Sequence, residues 1–437
     1  MTTQTSIDLS YLKESIIKAN SIAQPLYEKF EVKRGLRNKD GSGVLAGLTN
    51  ISSVRGFIKI EREMNPIEGE LKYRGIEIQD LMASFNIDSR YCFEEVCYLL
   101  LVGNRPSAKE LSDFSAYMAA HRQVPHVIID NVITGLPSKN IMNKLQGAVS
   151  ALYGFDDDAD SNDPYENFLK SVQLLAKLPM IVAYGYLSAH KENPKFVLPD
   201  NSMSHAESLL YMLYEGKTPS KFDAHIMDVA LVLHAEHGGG NNSTFTTYVV
   251  SSSGSDIYST MAAAIASLKG PLHGSANKKV MDMMADIKAN VKDWGDVSQV
   301  DAYLTKIINQ EAHDKSGKVY GLGHAVYTLS DPRATVIKKL AVELAKEKNR
   351  EAELNLYFTI EKEGPGLFQS VKGSDKVIAP NVDFFSGFVY DCLDIPEEIY
   401  TPMFAMARTC GWCAHRIEES LSSKRIIRPG YKFVDIK

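Results

Sequence analysis

Leu233-His234-Ala235-Glu236-His237-Gly238-Gly239-Gly240-Asn241 is the first of three short segments that decide how this chain reads. The second is Gly270-Pro271-Leu272-His273-Gly274-Ser275-Ala276-Asn277. The third is Gly321-Leu322-Gly323-His324-Ala325-Val326-Tyr327, backed by Asp331-Pro332-Arg333. The chain carries 11 histidines in 437 residues, and His234, His237, His273 and His324 all fall in these segments. Glycine beside an imidazole lets backbone and side chain approach a ligand together. The pattern suits a small, polar, anionic molecule. Helical periodicity at 224–234 runs into the first segment and at 259–268 into the second. It resumes at 277–289 and 333–348. The histidines therefore stand where helices end or begin.

Working outward, apolar residues recur near every 3.6 positions at 8–30, 94–101, 108–121, 140–153, 204–214, 300–311 and 402–420. Strand signals are few. Segments 50–59 and 70–78 are rich in Val, Ile and Tyr, with the turn-like Asn65-Pro66-Ile67-Glu68-Gly69 between them. The expected fold is mainly α, with a minor antiparallel β-sheet near the N-terminus.

Hydrophobic residues make up 44% and charged residues 23%, ordinary for a globular chain. A net charge of -6 leaves no basic footprint, so nucleic acid is not an expected partner. The apolar runs at 180–189 and 261–268 are too short to span a bilayer, so no membrane is expected. Five cysteines, Cys92, Cys97, Cys392, Cys410 and Cys413, are odd in number and lack disulfide-scaffold spacing. That favours a reducing compartment. Residues 1–9 show neither a signal-peptide nor a transit-peptide pattern, and the expected location is cytoplasmic.

Several motifs compete with a small-anion site. His234 and His237, three apart around Glu236, lack the four-residue spacing of a zinc protease, so no metal is expected. His234 reads as a buried core histidine ending an apolar helix. His237 meets three glycines, where a helix must stop and backbone is exposed. Gly321-Leu322-Gly323 fails the dinucleotide fingerprint, because Val326 occupies its last glycine position. The loop can still cradle phosphates or an adenine through its amides. Cys410-Gly411-Trp412-Cys413 lies within a helical pattern and reads as two small buried residues, not a redox pair. The acidic loop 155–164 breaks the EF-hand pattern at Ser161 and Asn167 and reads as solvated.

The acid–base and anion-binding candidates stand among apolar neighbours. Asp383, within Asn381-Val382-Asp383-Phe384-Phe385, is either a base with a raised pKa or a helix N-cap. Arg333, Arg408 (in Ala405-Met406-Ala407-Arg408-Thr409) and Arg428 (in Ile426-Ile427-Arg428-Pro429-Gly430) are charges that need partners. Three such guanidiniums suit a di- or tricarboxylate. Arg428 sits in a short tail with little core of its own, which points it toward a partner subunit.

Together these motifs resemble the citrate synthase family. The anchors are Gly-Pro-Leu-His-Gly at 270–274, Gly-x-Gly-His-x-Val at 321–326, Asp-Pro-Arg at 331–333 and Pro-Asn-Val-Asp-Phe at 380–384, and the likeness runs from Gly35-Leu36-Arg37 to Pro429. The resemblance implies a citrate-synthase-like fold. A large helical domain, 1–279 with 385–437 returning to it, would carry a smaller mobile helical domain, 280–384. It implies a homodimer condensing acetyl-CoA with oxaloacetate, no tightly bound cofactor, and His273, His324 and Asp383 as catalytic. His237, Asn241, Arg333 and Arg408 would bind oxaloacetate, joined by Arg428 of the neighbouring subunit. Val319, Gly321, Leu322, Gly323, Ala325 and Lys376 would contact CoA. Departures include Ser275, Glu236 where Asp is frequent, Ala325, and Tyr248 where many bacterial relatives carry Arg. Propionyl-CoA differs from acetyl-CoA by one methylene, worth only about 1–3 kcal/mol in an apolar pocket, so the motifs do not separate this activity from 2-methylcitrate synthesis. A catalytically silent binding protein and a metal hydrolase built on His234, Glu236 and His237 are the rivals from other classes.

Overall fold

The protein is described by a computed structural model covering residues 10–61, 63–373, 377–422 and 425–434. It divides into two compact units, residues 1–48 with 428–437, and residues 49–427.

The smaller unit has the helices Lys13–Asn20 and Gln24–Lys29 and short 3-10 turns, none with a buried residue. Arg34 stacks over the Tyr27 ring at 4.3 Å and Lys432 over Phe30 at 4.5 Å, so cation–π contacts stand in for an apolar core. Gln24 begins a separate helix because Pro25 sits at its first turn.

The larger unit is a layered helical body with one small sheet. β1 (Ser52–Ile60), β2 (Glu63–Tyr73) and β3 (Ile76–Glu77) pair antiparallel in that order, with Ser52 opposite Tyr73 and Phe57 opposite Pro66. The expected turn at 65–69 is instead part of β2. β3 meets only Lys72 and Tyr73, so Pro66 lies where β2 has a single neighbour, and there a missing N–H is tolerated. The bulge at Gly56 and the absent side chain at Gly69 let the backbone of 326–330 rest on the sheet. Thr328 Oγ1 donates to Gly56 O at 2.7 Å, and the Gly69 amide to Ser330 Oγ at 3.1 Å.

Among the described residues, the longer helices that escape simple periodicity are Asn242–Ser251, Pro164–His190, Glu351–Lys372 and Val382–Cys392. Pro179 and Pro365 lie inside the second and third, which run on through them, whereas in sequence proline reads as a breaker. By length and composition Pro164–His190 could cross a bilayer, which the expectation of only short apolar runs missed. In the fold 72% of its apolar window is buried, against Ile141–Ala151, His205–Leu213 and Tyr400–Ser422. The acidic loop before it is pinned, not free. Tyr258 donates to Asp156 Oδ2 at 2.9 Å, and Asp163 caps the helix by accepting from Tyr165 and Glu166 amides.

The core runs through Lys221–His234 and Tyr400–Ser422, whose central stretches 226–234 and 405–416 are buried throughout. All five cysteines are buried and unpaired, and Cys410 and Cys413 lie inside the latter helix, as small core residues do. Leu231, fully enclosed on Lys221–His234, tests this layer. Leu231→Ala should lower the unfolding free energy by about 2–5 kcal/mol in urea titration, through lost transfer energy and a cavity. A loss below 1 kcal/mol would mean that the layer collapses to fill the space.

Candidate active site

The helix Lys221–His234 ends at Ala235, and Gly238, with φ of +81°, turns the chain away. That turn presents the buried His237 to the cavity, its Nε2 3.2 Å from the Tyr327 hydroxyl. Asn241 closes the turn as N-cap of Asn242–Ser251, accepting from the Ser243 amide at 3.1 Å. His273 stands in the tight turn between the helices Ile257–Lys269 and Ala276–Asn290. A Cβ at Gly274 would strike the Leu268 carbonyl, so only glycine fits there. Ser243 Oγ lies 3.0 Å from His273 Nε2.

His324 and Asp383 are tied together by backbone. The Gly323 amide donates to Ala379 O at 2.7 Å and the Asn381 amide to Gly321 O at 2.9 Å, forming a short bridge of Leu322 with Pro380. Asn381 Nδ2 adds a bond to Gly323 O at 2.9 Å. Gly321, at φ +83°, needs both its conformation and its missing Cβ, which would press into Phe384 at 2.6 Å. Asn381, not Asp383, is the N-cap of Val382–Cys392, accepting from the Asp383 amide at 3.0 Å. The Asp383 carboxyl is therefore left without a capping duty.

Arg333 follows the N-cap Asp331 of Pro332–Glu347 and grips it with two bonds, Nε to Oδ1 at 3.0 Å and Nη2 to Oδ2 at 2.7 Å. Asp331 also accepts from the Val382 amide at 3.2 Å, which joins the arginine to the Asp383 helix. Arg408 donates from Nε to His234 O at 2.6 Å. Among the described residues its Nη2 meets no acceptor.

These groups converge on one cavity of about 330 Å³. His237, Asn241, His273, His324, Arg333, Asp383 and Arg408 all line it. Gly323 and Ala325 of the expected CoA set also do. Val319, Gly321 and Leu322 do not; Leu322 packs toward Gly364 instead. Lys376 lies outside the described residues. Arg428 belongs to the smaller, separately described unit. His234 is buried as the core reading expects, with Nε2 2.5 Å from the Tyr390 hydroxyl, yet it also borders the cavity.

Electrostatically the cavity is a neutral-histidine, arginine-rich site. Burial pushes the His273 imidazole below its ordinary value, reinforced by Arg408. His324 is lowered to about 4 by burial and the Arg333 charge. His237 falls well below its usual range for the same reasons. Burial raises the Asp383 carboxyl to about 6, against the pull of Arg333 and Arg408. His324 Nδ1 accepts from the Val326 and Tyr327 amides at 3.1 and 3.2 Å, so its single proton sits on Nε2. The His234-Ala235-Glu236-His237 box does not converge. Its two histidines pair with different tyrosines, and Glu236 bonds to His415. Among the described residues no group of three His, Cys, Asp or Glu side chains is placed to hold a metal ion.

Ser243, Tyr327, Tyr390 and Phe404 were not singled out as site residues from sequence. Each is an ordinary helix or loop residue whose only sign is its nearness to a named histidine in the fold. Tyr327 stacks on His324 with ring centres 4.8 Å apart, and Phe404 lies 4.6 Å beneath the Arg408 guanidinium.

A guanidinium-walled cavity with a freed carboxylate and neutral imidazole donors can bind a small polycarboxylate and enolise a carbon acid beside it. Residues 40–430 match the family described as "Citrate synthase, C-terminal domain". The citrate synthase of Deinococcus radiodurans is 38% identical over 372 residues, 85% of this chain and 91% of that one. That of Synechocystis sp. is 36% identical over 392 residues, 90% and 89% of the two chains. A solved ternary complex of Thermoplasma acidophilum citrate synthase with carboxymethyl coenzyme A and oxaloacetate superposes with a TM-score of 0.75. It is 29% identical and is covered over 99% of its length, against 93% of this chain. This chain belongs to the citrate synthase family.

Proposed function

We propose that the chain is a citrate synthase. It joins acetyl-CoA, oxaloacetate and water into citrate and CoA, the entry step of the tricarboxylic acid cycle. The observation that carries the reading is the convergence of His273, His324 and Asp383 with Arg333 and Arg408 on one cavity. Family membership supports the reaction, and the shared cavity supports the residue roles that the family resemblance implies.

Oxaloacetate carries two carboxylates. The open Nη2 edge of Arg408 and the guanidinium of Arg333, already held by Asp331, supply fixed positive charge for them, with His237 and Asn241 as neutral partners. Asp383 takes a proton from the acetyl methyl group. At its raised value of about 6 it is ionised at neutral pH yet more basic than a solvated carboxylate. The developing enolate needs a donor. His273 is neutral by burial, with its Nε2 3.0 Å from the Ser243 hydroxyl, and it serves as the hydrogen-bond donor to the thioester oxygen. The enol carbon forms a bond with the keto carbon, whose oxygen is polarised by the Nε2–H of His324. Water then cleaves the thioester of citryl-CoA. Gly323 and Ala325 at the cavity wall are the CoA contacts nearest the chemistry.

The cavity draws His324, Arg333 and Asp383 from residues 280–384, and His237, His273 and Arg408 from the rest. We assign 280–384 as the smaller domain, whose closure over both substrates would exclude water until condensation is complete. The enzyme is assigned as a cytoplasmic homodimer. Leu45, Leu48, Tyr431 and Phe433 are 83%, 88%, 96% and 89% exposed. Tyr431 and Phe433 follow Arg428 in the chain, and exposed apolar side chains of this kind favour burial by a second copy.

Asp383→Asn should lower turnover by about 10²–10⁴-fold while calorimetry still shows oxaloacetate binding. Near-wild-type turnover would remove Asp383 from the mechanism. Because Asp383 works ionised and its carboxyl is raised to about 6, wild-type kcat/KM should fall as pH drops through about 6. A profile flat down to pH 5 would contradict that assignment.

If Arg428 completes the partner's oxaloacetate pocket, then mixing inactive Arg428→Ala and Asp383→Asn subunits should restore some activity. Heterodimers would then contain one pocket with both groups intact. No recovery after verified subunit exchange would end the shared-site assignment.

A further inference from the structure

Behind the cavity lies a second set of enclosed polar groups that the mechanism above does not use. Glu236 and His415 are each 0% exposed, and neither borders the cavity. Glu236 directly precedes His237. Its Oε1 accepts from three donors: the Ser52 hydroxyl at 2.8 Å, the Gly238 amide at 2.5 Å and His415 Nε2 at 2.9 Å. Glu236 thus reaches around its own backbone and closes the turn that presents His237 to the cavity. Its Oε2 abuts Gly411, where any Cβ would collide with it.

On the other side of the His415 ring, Nδ1 is 2.6 Å from the Tyr248 hydroxyl and 3.7 Å from Glu418 Oε2. Tyr248 donates to Glu418 Oε2 at 3.1 Å, and Glu418 Oε1 accepts from the Asn50 amide at 2.8 Å. With both ring nitrogens protonated, Nε2–H goes to Glu236 and Nδ1–H to the Tyr248 oxygen. The tyrosine's own proton goes to Glu418, so each donor has an acceptor. The Tyr248 ring also lies against Gly239, 3.3 Å from where a Cβ would stand. The network therefore touches the 237–241 turn twice, at Gly238 and at Gly239.

We propose that His415 is a positioning residue for substrate binding: clamped between Glu236 and Glu418 and bonded to Tyr248, its charged ring fixes the 237–241 turn that presents His237 and Asn241 to oxaloacetate. This rests on the citrate synthase reading and extends it to a group outside the cavity. A buried carboxylate without a counter-charge is strongly disfavoured. Burial alone would drive His415 neutral, but the two carboxylates raise it to about 9. Burial would likewise raise Glu236, yet His415, Arg408 and Ser52 hold it at about 2. The other charged or titratable groups facing the network are Tyr73 on β2, beside Glu236, and Arg74, beside Glu418. Because the folded state favours charged His415, its contribution is complete below the ordinary histidine value and is lost as pH rises through about 9. Above that value Glu236 is stranded and the turn loosens.

The test is calorimetric titration of purified wild type, His415→Gln, Tyr248→Phe and the double variant Glu236→Gln/His415→Gln, with oxaloacetate and, separately, with CoA. His415→Gln should bind oxaloacetate at least about tenfold more weakly, and Tyr248→Phe about two- to fivefold more weakly, with CoA binding unchanged in both. Neutralising both partners should restore oxaloacetate affinity to within about threefold of wild type, the coupling expected of a contacting buried pair. Wild-type affinity should decline between about pH 8 and 10, while the double variant shows no such decline. Unchanged oxaloacetate affinity in a folded His415→Gln protein overturns the proposal. So does an equal loss for both ligands in step with the melting temperature, which marks a purely structural role. Should His415→Gln fail to fold, unchanged affinity in Tyr248→Phe overturns it. Absence of oxaloacetate binding by the wild type refutes the functional reading itself, and this inference with it.

Discussion

One face of the helix Tyr400–Ser422 lies against the backbone that follows Lys221–His234, and the site is assembled on that contact. Arg408 donates to the His234 carbonyl, the Gly411 amide meets the Ala235 carbonyl at 3.2 Å, and His415 bonds Glu236. Positions 408, 411 and 415 are spaced to share a helix side, and they meet residues 234, 235 and 236 in sequence. Gly411 is what permits the approach, since a side chain there would strike both the Ala235 carbonyl and the Glu236 carboxylate. The same contact orients a substrate-facing guanidinium and ends the helix where His237 must emerge.

A second backbone tie, from 321–323 to 379–381, does the corresponding work for His324 and Asp383. The three-stranded sheet packs through Gly56 and Gly69 against 326–332, the segment that follows His324. Between the two ties, burial acts in opposite directions on the two kinds of titratable group. It keeps the imidazoles neutral, so that they donate hydrogen bonds without adding charge. It lifts the Asp383 carboxyl toward neutrality, which makes it a better base. Arginine, which burial does not neutralise, carries the positive charge.

Much of this was legible in sequence where a residue is out of place for its surroundings. Arg408 stood out as a charge within an apolar helix, and His237 as an imidazole running into glycines. Asp383 stayed balanced between base and cap until Asn381 proved to hold the cap. The β2 turn was misplaced because Pro66 and Gly69 look like punctuation, whereas an edge position and a close-packed loop account for them. Helices Pro164–His190 and Glu351–Lys372 were hidden by internal prolines. The Glu236–His415 pair was not legible at all. Its partners lie 179 residues apart, and only the packing of two helices makes them neighbours. Tyr248, noted as a departure from bacterial relatives, acquires a physical context only there.

The central claim is that this cavity forms a carbon–carbon bond between an acetyl thioester and oxaloacetate. Nuclear magnetic resonance of the purified wild type, given oxaloacetate and acetyl-CoA labelled with 13C in the methyl group, tests it directly. A parallel assay follows free CoA thiol. The account predicts labelled citrate and thiol in equal amounts, with neither formed when oxaloacetate is left out. Thiol release without oxaloacetate, or consumption of acetyl-CoA without labelled citrate, would contradict it.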